Sequence, residues 1–216
     1  MKKRLSIEQK GMIEDILTAI MKLLSIDLFR VKINEMVQSH YDKGLEVVGV
    51  KFKMNFTPND RDISFLNDYV MNNMKYHTDQ LGNKLRQEIS RAMLEKETTE
   101  QLKKRIKQVF DDDKYFDRLK TVLRTETLRA NNMGQLEGAR QSRIPTKKYL
   151  SVIMDDRTSD ICIAEHAKYG SKDQAIPLEE EFKIHVDGKD FNAMQPTFHP
   201  NCRSVLQFVR TDVEQT

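Results

Sequence analysis

Apolar residues recur at helical spacing along most of this chain and at alternating spacing only in two places, one near residue 50 and one toward the end. From Ser6 to Leu24, the residues Ile13, Ile16, Leu17, Ile20 and Leu24 line one face of a predicted helix, and Phe29, Ile33, Met36 and Val37 begin a second. Val48, Val50, Phe52, Met54 and Phe56 then alternate with small or polar residues, which predicts an extended segment near 46–57, ended by Pro58. Asn59 or Asp60 can cap the next helix, with Ile63, Leu66, Val70 and Met74 on its apolar face. Leu81, Leu85, Ile89 and Met93 repeat the pattern over 79–95. Thr98 and Gln101 have the spacing of a capping box, in which a hydroxyl and an amide satisfy the free N–H groups of a helix start; Leu102, Ile106, Val109 and Phe110 follow as its stripe. The acidic run Asp111, Asp112, Asp113 is expected to break that helix and to cap a long one over about 114–142.

Beyond Ile144 and Pro145 the pattern changes. Residues 147–154 read as a strand, 155–160 as a turn, and 161–170 as a short helix closed by Gly170. Residues 182–186 form a further strand before a turn at 186–190, and 204–209 a last one. The expected fold class is therefore α+β. A helical region, 1–145, is followed by a small mixed α/β module, 146–216, with a candidate Cys/His metal site.

Composition supports this division. The chain has 216 residues, 38% of them hydrophobic and 32% charged, with no Trp, which suits long solvated helices better than a thick globule. Four of its five prolines lie beyond residue 140, in the loop-rich part. Glu8, Glu14 and Asp15 interrupt the apolar residues near the N-terminus, so no signal peptide is expected there. No stretch approaches the ~18 apolar residues of a membrane span. Two cysteines in a soluble cytoplasmic chain are expected to be thiols or metal ligands before a structural disulfide.

Net charge is only +3, but residues 114–148 carry nine Lys or Arg against three acids. Arg118, Arg129 and Arg140 are eleven residues apart, close to three helical turns, and so share one edge; with Arg143 they are candidates for contact with DNA phosphates. A solvated helix face is the alternative reading of the same charges. Glu126 falls among the apolar positions Leu119, Val122, Leu123, Ala130 and Met133 and should point into the core, where a carboxylate needs a cation. Arg157 and Arg203 are the expected partners of a structural ion pair. Thr127, Asn131, Gly134 and Gly138 form a small-residue face that lets another backbone come close.

Two local pairs carry the candidate chemistry. Cys162 and His166 are one turn apart on the short helix, and His199 and Cys202 flank a Pro-containing bend. Together they could form a tetrahedral Cys2His2 site for a structural Zn2+, which would supply folding energy that a small module lacks. A metal-free thiol and imidazole cluster, or a Cys162–Cys202 disulfide, would fit the same residues.

The ordered segments RTETLRANNMGQLEGAR (124–140), YLSVIMDDRTSDIC (149–162) and PTFHPNCRS (196–204) resemble the phage head morphogenesis family of Mu F-like minor head proteins. Arg124, Thr125 and Glu126 correspond to its "RTE"; Asp155 or Asp156 with Arg157 and Thr158 to its "D-x-RT" turn; His199, Pro200, Cys202 and Arg203 to its closing "HPxCR". The resemblance implies a minor virion component associated with the portal and other head proteins, present in the host cytoplasm during assembly, and involved in head assembly and DNA packaging or ejection. Non-specific contact with double-stranded DNA would fit that role, and the resemblance implies no catalytic activity. Two other function classes compete with it: a metal-dependent hydrolase or nuclease using the Cys/His cluster and Glu126, and a protein-binding adaptor that does not touch nucleic acid. Neither a glycine-rich phosphate loop, an HExxH pair nor a nucleophile elbow supports the enzyme.

Overall fold

The computed structural model describes residues 6–23 and 30–212. Leu24 and Phe29, predicted to face a core, lie outside them. Five helices come first: α1 (Ile7–Leu23), α2 (Arg30–Phe52), α3 (Asp60–Glu95), α4 (Thr99–Asp113) and α5 (Tyr115–Ser142). β1 (Thr146–Ser151), α6 (Asp160–Tyr169), β2 (Ile176–Pro177), β3 (Phe182–Val186), β4 (Lys189–Ala193) and β5 (Val205–Arg210) follow. This is the α+β architecture expected, with a mostly helical first part and small antiparallel sheets after it.

The predicted extended segment near 46–57 is not there: α2 runs through to Phe52, and Lys53 ends it in the left-handed conformation, φ 56°. Tyr41, Leu45, Val48 and Phe52 are buried at helical spacing. The misleading alternation arises because Val50, on the opposite face, is apolar yet 76% exposed. The two stripes predicted over 63–74 and 79–95 belong to one helix of 36 residues, since nothing between them breaks it. Nor does the acidic run break α4, which includes Asp113 and ends at Lys114, again left-handed at φ 51°. The Thr98/Gln101 capping box is present, with Gln101 N–H donating to Thr98 Oγ1 at 3.3 Å and Thr98 N–H donating to Gln101 Oε1 at 2.8 Å.

The contacts divide the chain into two compact units: residues 1–31 with 69–120, and residues 32–68 with 121–216. In the first, Ile13 and Leu17 of α1, Leu81, Leu85 and Ile89 of α3, Val109 of α4 and Tyr115 of α5 form the core. Arg105 gathers Glu88, Glu95 and Glu97 around its guanidinium, and the hydroxyls of Thr78 and Tyr115 share a hydrogen bond of 3.0 Å.

In the second unit, α2 and α5 pack on the sheets. Its core combines Val48 and Phe52 of α2, Leu136 and Ala139 of α5, Leu150 of β1, Tyr169 of α6, Phe182 and Ile184 of β3, and Leu206 and Phe208 of β5. The small residues of α5 let it meet α2 backbone to backbone. A Cβ added at Gly134 would lie 2.0 Å from the Tyr41 carbonyl oxygen, and one at Gly44 would lie 2.1 Å from that of Asn131. β1 is central in a three-stranded antiparallel sheet ordered β2-β1-β5, with Leu150 opposite Leu206 and Lys148 opposite Phe208. β3 and β4 form a separate hairpin whose turn, Asp187-Gly188, has both residues at positive φ, the conformation that two-residue hairpins favour.

Candidate metal centre

Helix α6 starts at Ser159, whose Oγ accepts the Cys162 N–H at 3.2 Å. From that phase Cys162, Glu165 and Tyr169 face inward, at 6%, 0% and 6% exposure. His166 lies one residue past Glu165 and is exposed, close to Gly170. The Cys162/His166 half of the predicted site is thus corrected to Cys162/Glu165, because one helical step of about 100° carries residue 166 off the buried face.

The second half comes from the loop 196–204. Cys202 N–H donates to the His199 carbonyl at 3.2 Å, and Asn201 is left-handed at φ 60°, so the bend folds Cys202 back beside His199. His199 Nδ1 lies 2.8 Å from the Pro200 carbonyl, which accepts only from a protonated nitrogen; this fixes the proton on Nδ1 in the neutral ring and leaves Nε2 as an acceptor. Nε2 lies 2.9 Å from Cys162 Sγ and 3.0 Å from Ser159 Oγ. One donor atom each from Cys162, Glu165, His199 and Cys202 falls within 4.8 Å of the other three.

Helix α5 holds this loop in place. Thr125 Oγ1 donates to the Thr121 carbonyl at 2.7 Å and accepts the Asn201 N–H at 3.0 Å. Asn132, seven residues on and fully buried, donates through Nδ2 to the carbonyls of Ser204 and Pro196 at 3.1 and 3.3 Å, and accepts the Leu206 N–H at 3.0 Å. The 155–158 turn ties in from outside. Asp155 accepts two hydrogen bonds from the Arg203 guanidinium, at 2.5 and 2.7 Å, while its own N–H donates to Thr158 Oγ1 at 2.7 Å.

The three segments that resembled a family therefore meet at one place, around the loop 196–204. The family described as "Phage Mu protein F like protein" matches residues 83–207, which contain all three. The chain belongs to the phage Mu protein F-like family. No curated protein and no solved structure matches it. The Mu F-like family is one of structural phage head proteins concerned with head morphogenesis. Among the described residues, no helix of this Mu F-like chain is long and apolar enough to cross a membrane.

The electrostatics of the cluster follow from its burial. Cys202, then His199 and Ser159, hydrogen-bond to Cys162 and bring its thiol down to about 3, while the Cys202 thiol is pushed up by that same bond and by burial. Burial lifts Glu165 to about 7, against the Ser204 hydroxyl that donates to Oε2. The Cys162 thiolate raises His199. Among the described residues, Glu165 Oε1 meets no hydrogen-bond partner although it is wholly buried.

Two other expectations for this Mu F-like chain change. Glu126 is buried, at 3% exposure, but its cation is Arg129, one turn away at 2.8 Å, rather than Arg157 or Arg203. Both of those arginines turn to Asp155, Arg203 at 2.5 Å and Arg157 at 3.5 Å. Burial raises the Glu126 pKa, and the Arg129 charge partly opposes that. Of the candidate DNA contacts, Arg129 is engaged by Glu126, and Arg140 makes a two-pronged pair with Glu179 at 2.9 and 2.7 Å. Arg118 and Arg143 are exposed, the latter left-handed at φ 54° just past the end of α5.

Proposed function

We propose that the protein is a minor component of the phage head that associates with the portal and contributes to head assembly and to DNA packaging or ejection. The observation that carries this reading is the Mu F-like match over residues 83–207, which spans the helix α5 and the whole loop cluster it holds. The cluster supports a structural role over a catalytic one. The cleft beside Cys162 and His199 offers about 10 Å³ to water, the room of a single molecule, and is rimmed by Ile153, Arg157, Asn201 and Arg203. Direct contact with duplex DNA belongs to the same reading and would rest on the exposed cations of the basic stretch, Arg118 and Arg143 among them.

Mass spectrometry of purified virions, with co-expression of the protein and the portal ring, tests the proposal. A few copies per particle and co-elution with the ring are expected. Particles that mature and package DNA without the protein, together with no retention on the ring, would overturn it. Charge reversal at Arg118 and Arg143 separates the DNA contact from the portal contact: DNA retention at low salt should fall while ring binding stays.

A further inference from the structure

We propose that Cys162, Cys202, His199 and Glu165 bind one Zn2+ as a closed, structural site, with His199 Nε2 and Glu165 Oε1 as the nitrogen and oxygen ligands. This goes beyond the head-protein reading and stands whether or not the portal is the partner.

Donor type is the first argument. Two sulfurs and an imidazole select a borderline-soft ion over Mg2+ or Ca2+, which take oxygen ligands. A four-donor set with no place kept for water is the form of structural zinc. Spacing is the second. Zinc bonds of about 2.0–2.3 Å at tetrahedral angles place neighbouring ligand atoms about 3.5 Å apart. The four donors here lie within 4.8 Å of one another, and the pair Cys162 Sγ and His199 Nε2, at 2.9 Å, needs to open by only about 0.6 Å, a small side-chain rotation.

The third argument is that the surroundings already orient the ligands. The proton on His199 Nδ1 is held by the Pro200 carbonyl, which leaves the Nε2 lone pair for the ion. The Ser204 hydroxyl donates to Glu165 Oε2 and leaves Oε1 free; that oxygen is fully buried and has no hydrogen-bond partner among the described residues. A carboxylate oxygen in that position is costly unless a cation or donor meets it. The two ligand pairs have matching architecture: Cys162 and Glu165 are three apart on α6, and His199 and Cys202 are three apart across the bend closed by the Cys202 N–H. An ion between them would join α6 to the loop that Thr125 and Asn132 hold against α5.

The full chain, purified under reducing conditions, tests this by metal analysis and by exchange with Co2+. One zinc per chain is expected, and Co2+ should give the intense visible bands of a tetrahedral site together with thiolate-to-metal charge transfer. Cys162→Ser and Cys202→Ser should abolish the charge-transfer band or halve it. Glu165→Gln should weaken zinc binding at least about tenfold, and Ser204→Ala, which acts through Glu165, by about 10- to 100-fold. His166→Ala should leave both stoichiometry and spectrum unchanged. If the variants do not fold, the wild-type chain alone still decides the matter. No zinc as purified and no tetrahedral cobalt spectrum on titration would overturn the proposal. Loss of the site in His166→Ala, or full affinity in Glu165→Gln, would overturn the ligand set.

Discussion

Replacing Gly134 by alanine should separate α2 from α5, and the size of the effect follows from one distance. The new Cβ would lie 2.0 Å from the Tyr41 carbonyl oxygen and 2.9 Å from its carbon. A carbon and a carbonyl oxygen come no closer than about 3.3 Å without strain. The helices must therefore part by about 1.3 Å, and neither obstacle is a side chain that could swing away. Tyr41, Leu45 and Val48, buried beside the contact, would lose packing together. Overpacking of this kind costs about 1–3 kcal/mol, and a clash with backbone that cannot swing away lies at the upper end of that range; a helical Gly→Ala change returns about 1 kcal/mol, so a net loss of about 2 kcal/mol is expected. Gly11 supplies the control. Among the described residues nothing lies within 4 Å of a Cβ there, so Gly11→Ala should gain up to about 1 kcal/mol from helix propensity alone. Urea titration followed by circular dichroism reads both, with the transition midpoint as the measure and the slope expected to stay constant. Were Gly134→Ala to unfold at the wild-type midpoint or above it, the backbone contact between α2 and α5 would be wrong.

Asn132→Ala should cost about 3 kcal/mol or more, because it strands the carbonyls of Pro196 and Ser204 and the N–H of Leu206 in a buried place; a lower urea midpoint and faster exchange of the Leu206 amide are the readouts. Arg129→Ala should destabilise more than Glu126→Gln, since the carboxylate is 3% exposed and a fifth of the Arg129 side chain reaches solvent. With its cation gone, the folded Glu126 pKa stays above the unfolded one, so the Arg129→Ala deficit should be smallest in acid and grow as pH rises through the folded value; a pH series of melts would refute this if the gap were flat. Burial draws Lys148 down to about 8 from 10.5, a penalty of at most about 3 kcal/mol on the charged form. Lys148→Met should therefore melt higher than wild type at pH 7, less the lost bond to the Met194 carbonyl, and the advantage should close between pH 8 and 10.5, where the folded lysine releases its proton before the unfolded one.

Local signals were legible in the sequence and phase errors were not. The capping box at Thr98, the extent of α5 and the strands β1, β3 and β5 each rest on residues within one turn or one hairpin of each other. Residues 46–57 misled because period two and period 3.6 coincide over a few residues when Val47 and Val50 are apolar on the solvent side. β4 was missed although its signal is present: Asp187-Gly188 is a hairpin turn, and a turn of that kind requires a second strand after it. Lys148 shows the opposite difficulty. It is one of two inward residues of β1, with Leu150, and is fully buried, with its ammonium 5.1 Å from the centre of the Phe182 ring and bonded to the Met194 carbonyl, a place no composition rule assigns to lysine.

The candidate site was three-quarters legible, and the missing quarter has a specific cause. From Cys162, steps of three and four residues both stay on one helical face, so Glu165 and His166 were equally placed by spacing. Imidazole is an ordinary partner of thiolate at zinc, which singles out the histidine, and nothing in the sequence marks Glu165. The packing of α6 decides otherwise: Ile161 and Ala164 pack on the core together with Cys162 and Tyr169, which centres the buried face on Glu165 and leaves His166 at its edge. The ties to α5 were harder still. Glu126 drew attention as the odd carboxylate in an apolar stripe, yet its partner is local, whereas Thr125 and Asn132 look like ordinary helix polar residues and hold the loop through its backbone. Backbone acceptors leave no trace in a sequence, so side chains that serve them are invisible until the loop is placed. A buried asparagine that meets three backbone groups also explains why segments far apart in the chain form one recognisable set: the geometry of 196–206 depends on what α5 offers at 125 and 132.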